Sequence, residues 1–236
     1  MKCLLISNST MAGEPYLDYP KHNIAEFLGK EKVNALFIPY AAVSFSWDEY
    51  ENKIKNRFNE VGHDVTSIHK FDDPVKAVEQ ADAIVIGGGN TWNLVRVMRD
   101  NNLLDPIRKK VLDGTPYIGW SAGSNVTCPS IKTTNDMPII DPKGFDALNL
   151  IPFQINPHFL DKKAQGHAGE SREDRINEFL VLNKNMPVAG LREGCMFLIE
   201  GDEMKLIGIH PLRLFKYGKE PQELDTGQDF SFLLNG

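Results

Sequence analysis

Short apolar runs that alternate with amphipathic stretches place the strongest constraint on the fold of this chain. Such runs occupy residues 3–6, 35–38 and 83–86, and a similar run at 116–119 includes a proline and a glycine. Uninterrupted runs are typical of strands buried on both faces, as in parallel sheets. Apolar residues at helical spacing over 47–61 predict a helix between two of the runs. The alternation therefore predicts an α/β fold with a doubly wound, mostly parallel sheet covered by helices on both faces.

Weaker strand and helix patterns fill the rest of the chain, and we expect one domain over residues 1–236. A weaker strand is predicted at 65–68, and a C-terminal β-hairpin is formed by strands at 196–199 and 205–209. A further strand is predicted at 188–191, and the segment 127–154, rich in Pro, Asp and Asn, is expected to be mostly loop. Further helices are predicted at 22–30, 91–99 and 104–112. Two more are predicted to begin near Pro74 and at the capping sequence that starts with Ser171.

Composition excludes several classes of function. The chain has 26 basic and 32 acidic residues and a net charge of −6, which disfavours binding to nucleic acid or to an anionic membrane. Its three cysteines are far apart in sequence, so we expect neither disulfides nor a cysteine metal site. No apolar stretch approaches the ~18 residues of a membrane span. We therefore expect a cytoplasmic protein without a membrane partner, either a monomer or a weak homodimer.

A Gly-x-Ser-x-Gly pattern follows the apolar run at 116–119. Gly119 and Gly123 leave room for a sharp turn from strand to helix that exposes the hydroxyl of Ser121. The N–H of Ala122 would then lie in the first turn of the helix, where it can stabilise an oxyanion. Small residues at such a turn are also typical of close packing. The prediction of a serine nucleophile therefore depends on finding a base and an acid elsewhere in the chain.

Two of the six histidines are candidates for the base. His158 follows Pro157, which restricts the backbone, and it lies at the end of an apolar run that starts at Ile151. His167 is the second candidate. It lies in a loop rich in small residues, which favours a contact with substrate or a merely exposed position. The others are interpreted as solvated surface side chains: His22, His63, His69 and His210.

A catalytic histidine needs a carboxylate that orients it. The candidates are Asp136, Asp141, Asp146, Glu170 and Glu193. Glu193 follows the strand predicted at 188–191 and so lies at the edge of a sheet where ligands bind. A surface ion pair would explain Glu193 equally, and an Asx turn would explain Asp136. The residues alone do not separate these candidates.

Three consecutive glycines follow the strand at 83–86. They do not form a dinucleotide-binding motif, because residue 92 is Trp, and no Gly-Lys-Ser/Thr sequence follows them. The N–H of Gly88 is instead predicted to be a second donor to an oxyanion. The chain also lacks a His-Glu-x-x-His motif and a cysteine cluster, so we expect no metal and no other cofactor.

Five segments together resemble the peptidase E family, the α-aspartyl dipeptidases among the serine peptidases. They are residues 86–91, 119–124, 156–159, 166–172 and 191–194, in this order. The resemblance covers nearly the whole chain. It implies a three-layer sandwich of the kind found in class I glutamine amidotransferases and flavodoxin-like proteins. It also implies hydrolysis of small peptides, mainly dipeptides, that begin with aspartate.

The same resemblance implies roles for individual residues. Ser121 would be the nucleophile, His158 the base and Glu193 the orienting acid, with Asp136 as second choice for the acid. Substrate contacts are expected from Asn90 and His167. An aspartyl side chain also requires a cation, and Arg172 is our candidate because a guanidinium binds a carboxylate in a bidentate manner. An ion pair with Glu173 would be the structural explanation of this arginine.

Three other functions remain open at this stage. The chain could be a related peptidase that cleaves β-aspartyl bonds, as cyanophycin-degrading enzymes do. It could be an esterase, in which the acid, such as Asp136 or Asp146, would precede the histidine in the chain. It could also be a non-catalytic, amidotransferase-like binding module in which Ser121 only lines a ligand cleft.

Overall fold

The computed structural model describes residues 1–161 and 169–235, and in these ranges it contains eleven β-strands and seven α-helices. The strands are β1 (Lys2–Ile6), β2 (Asn34–Ile38), β3 (Asp64–Ser67), β4 (Ile84–Ile86), β5 (Tyr117–Trp120), β6 (Gln154–Phe159), β7 (Val188–Arg192), β8 (Cys195–Glu200), β9 (Glu203–Gly208), β10 (Leu212–Phe215) and β11 (Gln222–Leu224). The helices are α1 (Lys21–Leu28), α2 (Trp47–Glu60), α3 (Pro74–Gln80), α4 (Thr91–Asp100), α5 (Leu104–Leu112), α6 (Ala122–Asn125) and α7 (Arg172–Leu182).

The larger sheet has the strand order β3-β2-β4-β5-β1-β8-β9 within the described ranges. Its first five strands are parallel, and β8 and β9 add an antiparallel hairpin at one edge. Ile86 of β4 pairs with Gly119 of β5, and Trp120 of β5 pairs with Ile6 of β1. The carboxyl ends of these three strands therefore lie side by side, at the edge where α/β proteins bind ligands.

The central strands separate two apolar cores. Along β1, Leu4 and Ile6 pack in the core that contains residues of α1 and α2, whereas Cys3 and Leu5 pack in the core that contains residues of α3, α4 and α5. Successive side chains of a strand alternate between faces, so burial on both sides requires an unbroken apolar run. The predicted α/β fold, with a sheet of mainly parallel strands between layers of helices, is confirmed.

A second sheet was not predicted from the sequence. It has the order β11-β10-β7-β6, with β6 and β7 parallel and the two other strands antiparallel to their neighbours. The last two strands are short, and β11 is mostly polar, so they lack the apolar runs that marked the other strands. The sheets share one core, in which Phe153 contacts Phe197 of β8 with ring centroids 6.0 Å apart.

The helices within the described ranges are short. None of them combines the length and the hydropathy that crossing a bilayer would require.

Candidate active site

Ser121 lies at a sharp turn between β5 and α6. Its backbone angles are φ 53° and ψ −110°, which L-residues rarely adopt and which cost about 1–3 kcal/mol. Both flanking glycines are required by close approach of the backbone. A Cβ atom on Gly119 would collide with the carbonyl of Gly123, and one on Gly123 would collide with the carbonyl of Ile86. The strand-to-helix turn predicted from the glycine pattern is therefore present.

A continuous chain of hydrogen bonds joins Ser121, His158 and Glu193. The Nε2 atom of His158 lies 3.0 Å from Ser121 Oγ, and its Nδ1 atom lies 2.7 Å from Glu193 Oε1. All three side chains line one cleft with a volume of about 570 Å³. An imidazole between a hydroxyl and a carboxylate can accept the proton of the hydroxyl while the carboxylate holds the ring in position.

Two residues after β1 hold the histidine and the acid in place, and the sequence analysis did not identify them. The N–H of His158 donates to Ser7 Oγ at 2.9 Å, and the Ser7 hydroxyl donates to the carbonyl of Leu191 at 2.8 Å. The N–H of Gly194 donates to Asn8 Oδ1 at 2.9 Å. Both side chains belong to buried residues. The only signal in the sequence is their position at the carboxyl end of a buried strand.

An irregularity in β6 determines where the imidazole lies. The register between β6 and β7 shifts between Asn156 and Phe159, and His158 has a positive φ of 53°. A regular strand would alternate its side chains strictly between two faces. The irregularity changes this alternation at His158, next to Pro157, which cannot donate a backbone hydrogen bond.

Two backbone N–H groups next to Ser121 have no acceptor among the described residues. They belong to Gly88 and to Ala122, the first residue of α6. Gly88 lies directly against the serine, since a Cβ atom added to it would be 3.1 Å from Ser121 Cβ. Its carbonyl accepts a hydrogen bond from Tyr50 Oη at 3.0 Å, which fixes the orientation of this peptide. These donors are therefore available to an oxyanion formed at Ser121.

Asp136 has a different set of partners from Glu193. Its Oδ2 atom accepts hydrogen bonds from the N–H and hydroxyl of Thr91, at 2.8 and 2.6 Å, and from Thr134 Oγ1 at 2.9 Å. The ring of His158 contacts Glu193 and not Asp136. Asp136 lines the cleft, so its carboxylate is available for a contact with a ligand.

The side chain of Asn90 forms hydrogen bonds within the protein. It caps α4, with Oδ1 accepting from the N–H of Asn93 at 3.0 Å and Nδ2 donating to the carbonyl of Met137 at 2.9 Å. Asn90 is absent from the described lining of the cleft. The expected substrate contact of Asn90 stays a prediction. His167, the other residue expected to contact substrate, lies outside the described residues.

Arg172 is the first residue of α7 and lines the same cleft as Ser121. Burial is the main cause that lowers the pKa of its guanidinium, with a further contribution from Arg175, while Asp136 and Glu193 act in the opposite direction. An arginine remains charged after such a shift. No carboxylate among the described residues forms an ion pair with Arg172, and Glu173 pairs with Arg213 instead. This half-buried cation is available for an anionic ligand.

The structure corrects the interpretation of one other histidine. His63 is 2% exposed, not solvated, and its Nδ1 atom accepts from the N–H of Val33.

Among the described residues, one cluster has metal-ligand atoms within 4.8 Å of one another: Asp48, Glu51 and His69. Lys70 forms ion pairs with both carboxylates of this cluster.

Comparison with known proteins assigns the chain to a family. The model of peptidase family S51 matches residues 3–207. The chain is 48% identical to a peptidase E from Nostoc sp. over 99% of its length and 96% of the relative's, and 45% identical to a peptidase E from Salmonella newport over 98% and 100%. A solved peptidase from an acI-B1 Actinobacterium has the same fold, with a TM-score of 0.71, 17% identity and coverage of 98% and 96%. The chain therefore belongs to peptidase family S51 and is a peptide hydrolase.

Proposed function

We propose that this peptidase hydrolyses dipeptides with an N-terminal aspartate through an acyl-enzyme on Ser121, with His158 as the base and Glu193 as the orienting acid. The observation that carries the proposal is the hydrogen-bonded chain from Ser121 Oγ through both ring nitrogens of His158 to Glu193. The acid in this chain follows the histidine in sequence, which argues against the esterase order. The chemistry that this chain of hydrogen bonds supports is acyl transfer to water.

The proposed reaction uses three side chains and two backbone N–H groups of the cleft. Ser121 Oγ attacks the peptide carbonyl while its proton passes to His158 Nε2, and Glu193 stabilises the imidazolium. The N–H groups of Gly88 and Ala122 stabilise the oxyanion, each contributing roughly 3 kcal/mol. The imidazolium then protonates the leaving amine as the C–N bond breaks. His158 then takes a proton from water, whose oxygen attacks the ester carbonyl. The bond to Ser121 Oγ breaks, the acid is released, and the imidazolium returns its proton to Ser121 Oγ.

Charge complementarity supports the choice of aspartate. Its side-chain carboxylate suits Arg172, a half-buried cation that lines the cleft and has no carboxylate partner among the described residues. The free α-ammonium of the same residue suits Asp136, because Glu193 already contacts His158. Arg172 and Asp136 line the same cleft, so the proposal assigns both charges of the aspartyl residue to it.

A panel of four substrates tests the proposal: Asp-Leu, Ala-Leu, isoaspartyl-Leu and a p-nitrophenyl ester, each with and without a serine-directed phosphonate. We expect hydrolysis mainly of Asp-Leu, and inhibition by the phosphonate. Ser121→Ala should lower kcat by about 10,000-fold or more while the circular dichroism spectrum stays unchanged. Preferential cleavage of isoaspartyl-Leu or of the ester would contradict the proposal, as would binding of Asp-Leu without any turnover.

A further inference from the structure

The cleft contains one more cation that the proposed reaction does not use. In the described lining the charged side chains besides His158 are those of Lys53, Asp136, Arg172 and Glu193. An Asp-Xaa dipeptide carries three charges: the aspartyl carboxylate, the α-ammonium and the α-carboxylate of the leaving residue. The proposed function assigns Arg172 and Asp136 to the first two. The third charge is negative and needs a second cation.

Lys53 lies in a different part of the cleft from Arg172. Its Nζ atom lies 3.9 Å from the ring centroid of Tyr16, and the hydroxyl of Tyr16 accepts a hydrogen bond from Trp120 Nε1 at 2.8 Å. Trp120 is the last residue of β5 and directly precedes Ser121, so this chain of contacts connects Lys53 to the residue next to the serine. Arg172 also borders a second cavity together with Thr134 and Arg175, and the described lining of that cavity does not include Lys53.

The aromatic contact holds an exposed lysine at a defined place. Lys53 belongs to α2, and no carboxylate among the described residues forms an ion pair with it. Lys55, two residues further along the helix, pairs with Asp64 at 3.4 Å and does not line the cleft. An ammonium on the face of a tyrosine is stabilised there and keeps its hydrogen-bond donors available.

We propose that Lys53 binds the C-terminal carboxylate of the leaving residue and is thereby a determinant of specificity for dipeptides. The inference rests on the proposed function, which supplies the positions of the other two substrate charges. A longer peptide continues as an amide at this point and offers no negative charge to Lys53. Such substrates lose one charge-assisted hydrogen bond, and the enzyme acts as a dipeptidase rather than a general aminopeptidase.

Asp-Leu and its C-terminal amide, Asp-Leu-NH₂, differ only in this charge and provide the test. We expect Lys53→Met to lower kcat/KM for Asp-Leu by about 10-fold to 100-fold, mainly through KM, and to change kcat/KM for the amide by less than about 2-fold. Methionine retains the length and the packing of the stem on Tyr16. Lys53→Arg should restore the preference for the acid, and Lys55→Met is the matched control on the same helix.

The outcomes distinguish this inference from the proposed function. If the unchanged protein cleaves Ala-Leu but not Asp-Leu, the proposed function is contradicted. The role of Lys53 is then tested with Ala-Leu and its C-terminal amide, by the ratio of kcat/KM for the acid to kcat/KM for the amide. Equal loss on acid and amide in Lys53→Met would overturn the inference and leave the proposed function intact. A selective loss of the preference for Asp-Leu over Ala-Leu in that variant would instead assign Lys53 to the aspartyl side chain, which also overturns it.

Discussion

At the scale of single residues, two acids in one cleft are distinguished by what they contact. Glu193 contacts the ring of His158, whereas Asp136 accepts three hydrogen bonds from Thr91 and Thr134. A carboxylate at Nδ1 fixes the tautomer and stabilises the imidazolium, and a neutral amide does neither. A carboxylate away from the ring acts on binding instead.

Glu193→Gln is therefore expected to lower kcat by about 1,000-fold or more, with a smaller change in KM. Asp136→Asn should change kcat by less than about 10-fold and act mainly through KM. Steady-state kinetics with Asp-Leu measure both effects. A larger loss of kcat in Asp136→Asn than in Glu193→Gln would contradict the assignment of the acid.

A further prediction for a single residue concerns Arg172, whose proposed role is to bind one substrate carboxylate. Arg172→Ala should lower kcat/KM for Asp-Leu by about 100-fold and leave kcat/KM for Ala-Leu within about 3-fold. Arg175→Ala is the matched control, since Arg175 lies on the same helix and is exposed. An unchanged preference for Asp-Leu in Arg172→Ala would show that another group binds the aspartyl side chain.

At the scale of the secondary-structure elements, the end of β1 connects the two sheets at the site. Ser7 accepts from the N–H of His158 and donates to the carbonyl of Leu191, which belongs to β7. Ser121 directly follows β5 of the larger sheet, while His158 belongs to the smaller one. The distance between Ser121 Oγ and His158 Nε2 therefore depends on this contact between sheets.

Ser7→Ala is expected to lower kcat by about 10-fold with little change in KM, because the imidazole loses a fixed position relative to Ser121. The loss of buried hydrogen bonds should also lower the free energy of unfolding by about 1–3 kcal/mol. Ser67→Ala is the control: Ser67 is equally buried and its hydroxyl contacts His69, away from the cleft. If both variants lowered kcat equally at similar stability, Ser7 would have no specific positioning role.

At the scale of the whole molecule, the two sheets share a core and should unfold together. Phe153 and Phe197 are fully buried and meet at the contact between the sheets. We expect Phe153→Ala to lower the free energy of unfolding by about 3–5 kcal/mol. Urea unfolding followed by tryptophan fluorescence and by far-UV circular dichroism should give coincident midpoints in both proteins. Two separated transitions would contradict the prediction of one domain over residues 1–236.

The sequence by itself determined the α/β fold and the order of most of its elements. Burial on both faces demands unbroken apolar runs, and close backbone approach demands the glycines around Ser121; both requirements are local and can be recognised in a sequence. The same glycine pattern and the position of His158 next to Pro157 nominated the serine and the histidine as candidates.

Only the tertiary structure decided which groups meet. The sequence did not indicate that β7 pairs with β6 and β10 in a second sheet, because an apolar strand does not specify its neighbour. It could not separate Glu193 from Asp136, since both lie in loops at plausible positions and only their contacts differ. Ser7 and Asn8 were missed for the same reason: their partners lie more than 150 residues away along the chain. Long-range hydrogen bonds depend on how the sheets pack, and no local pattern records that packing.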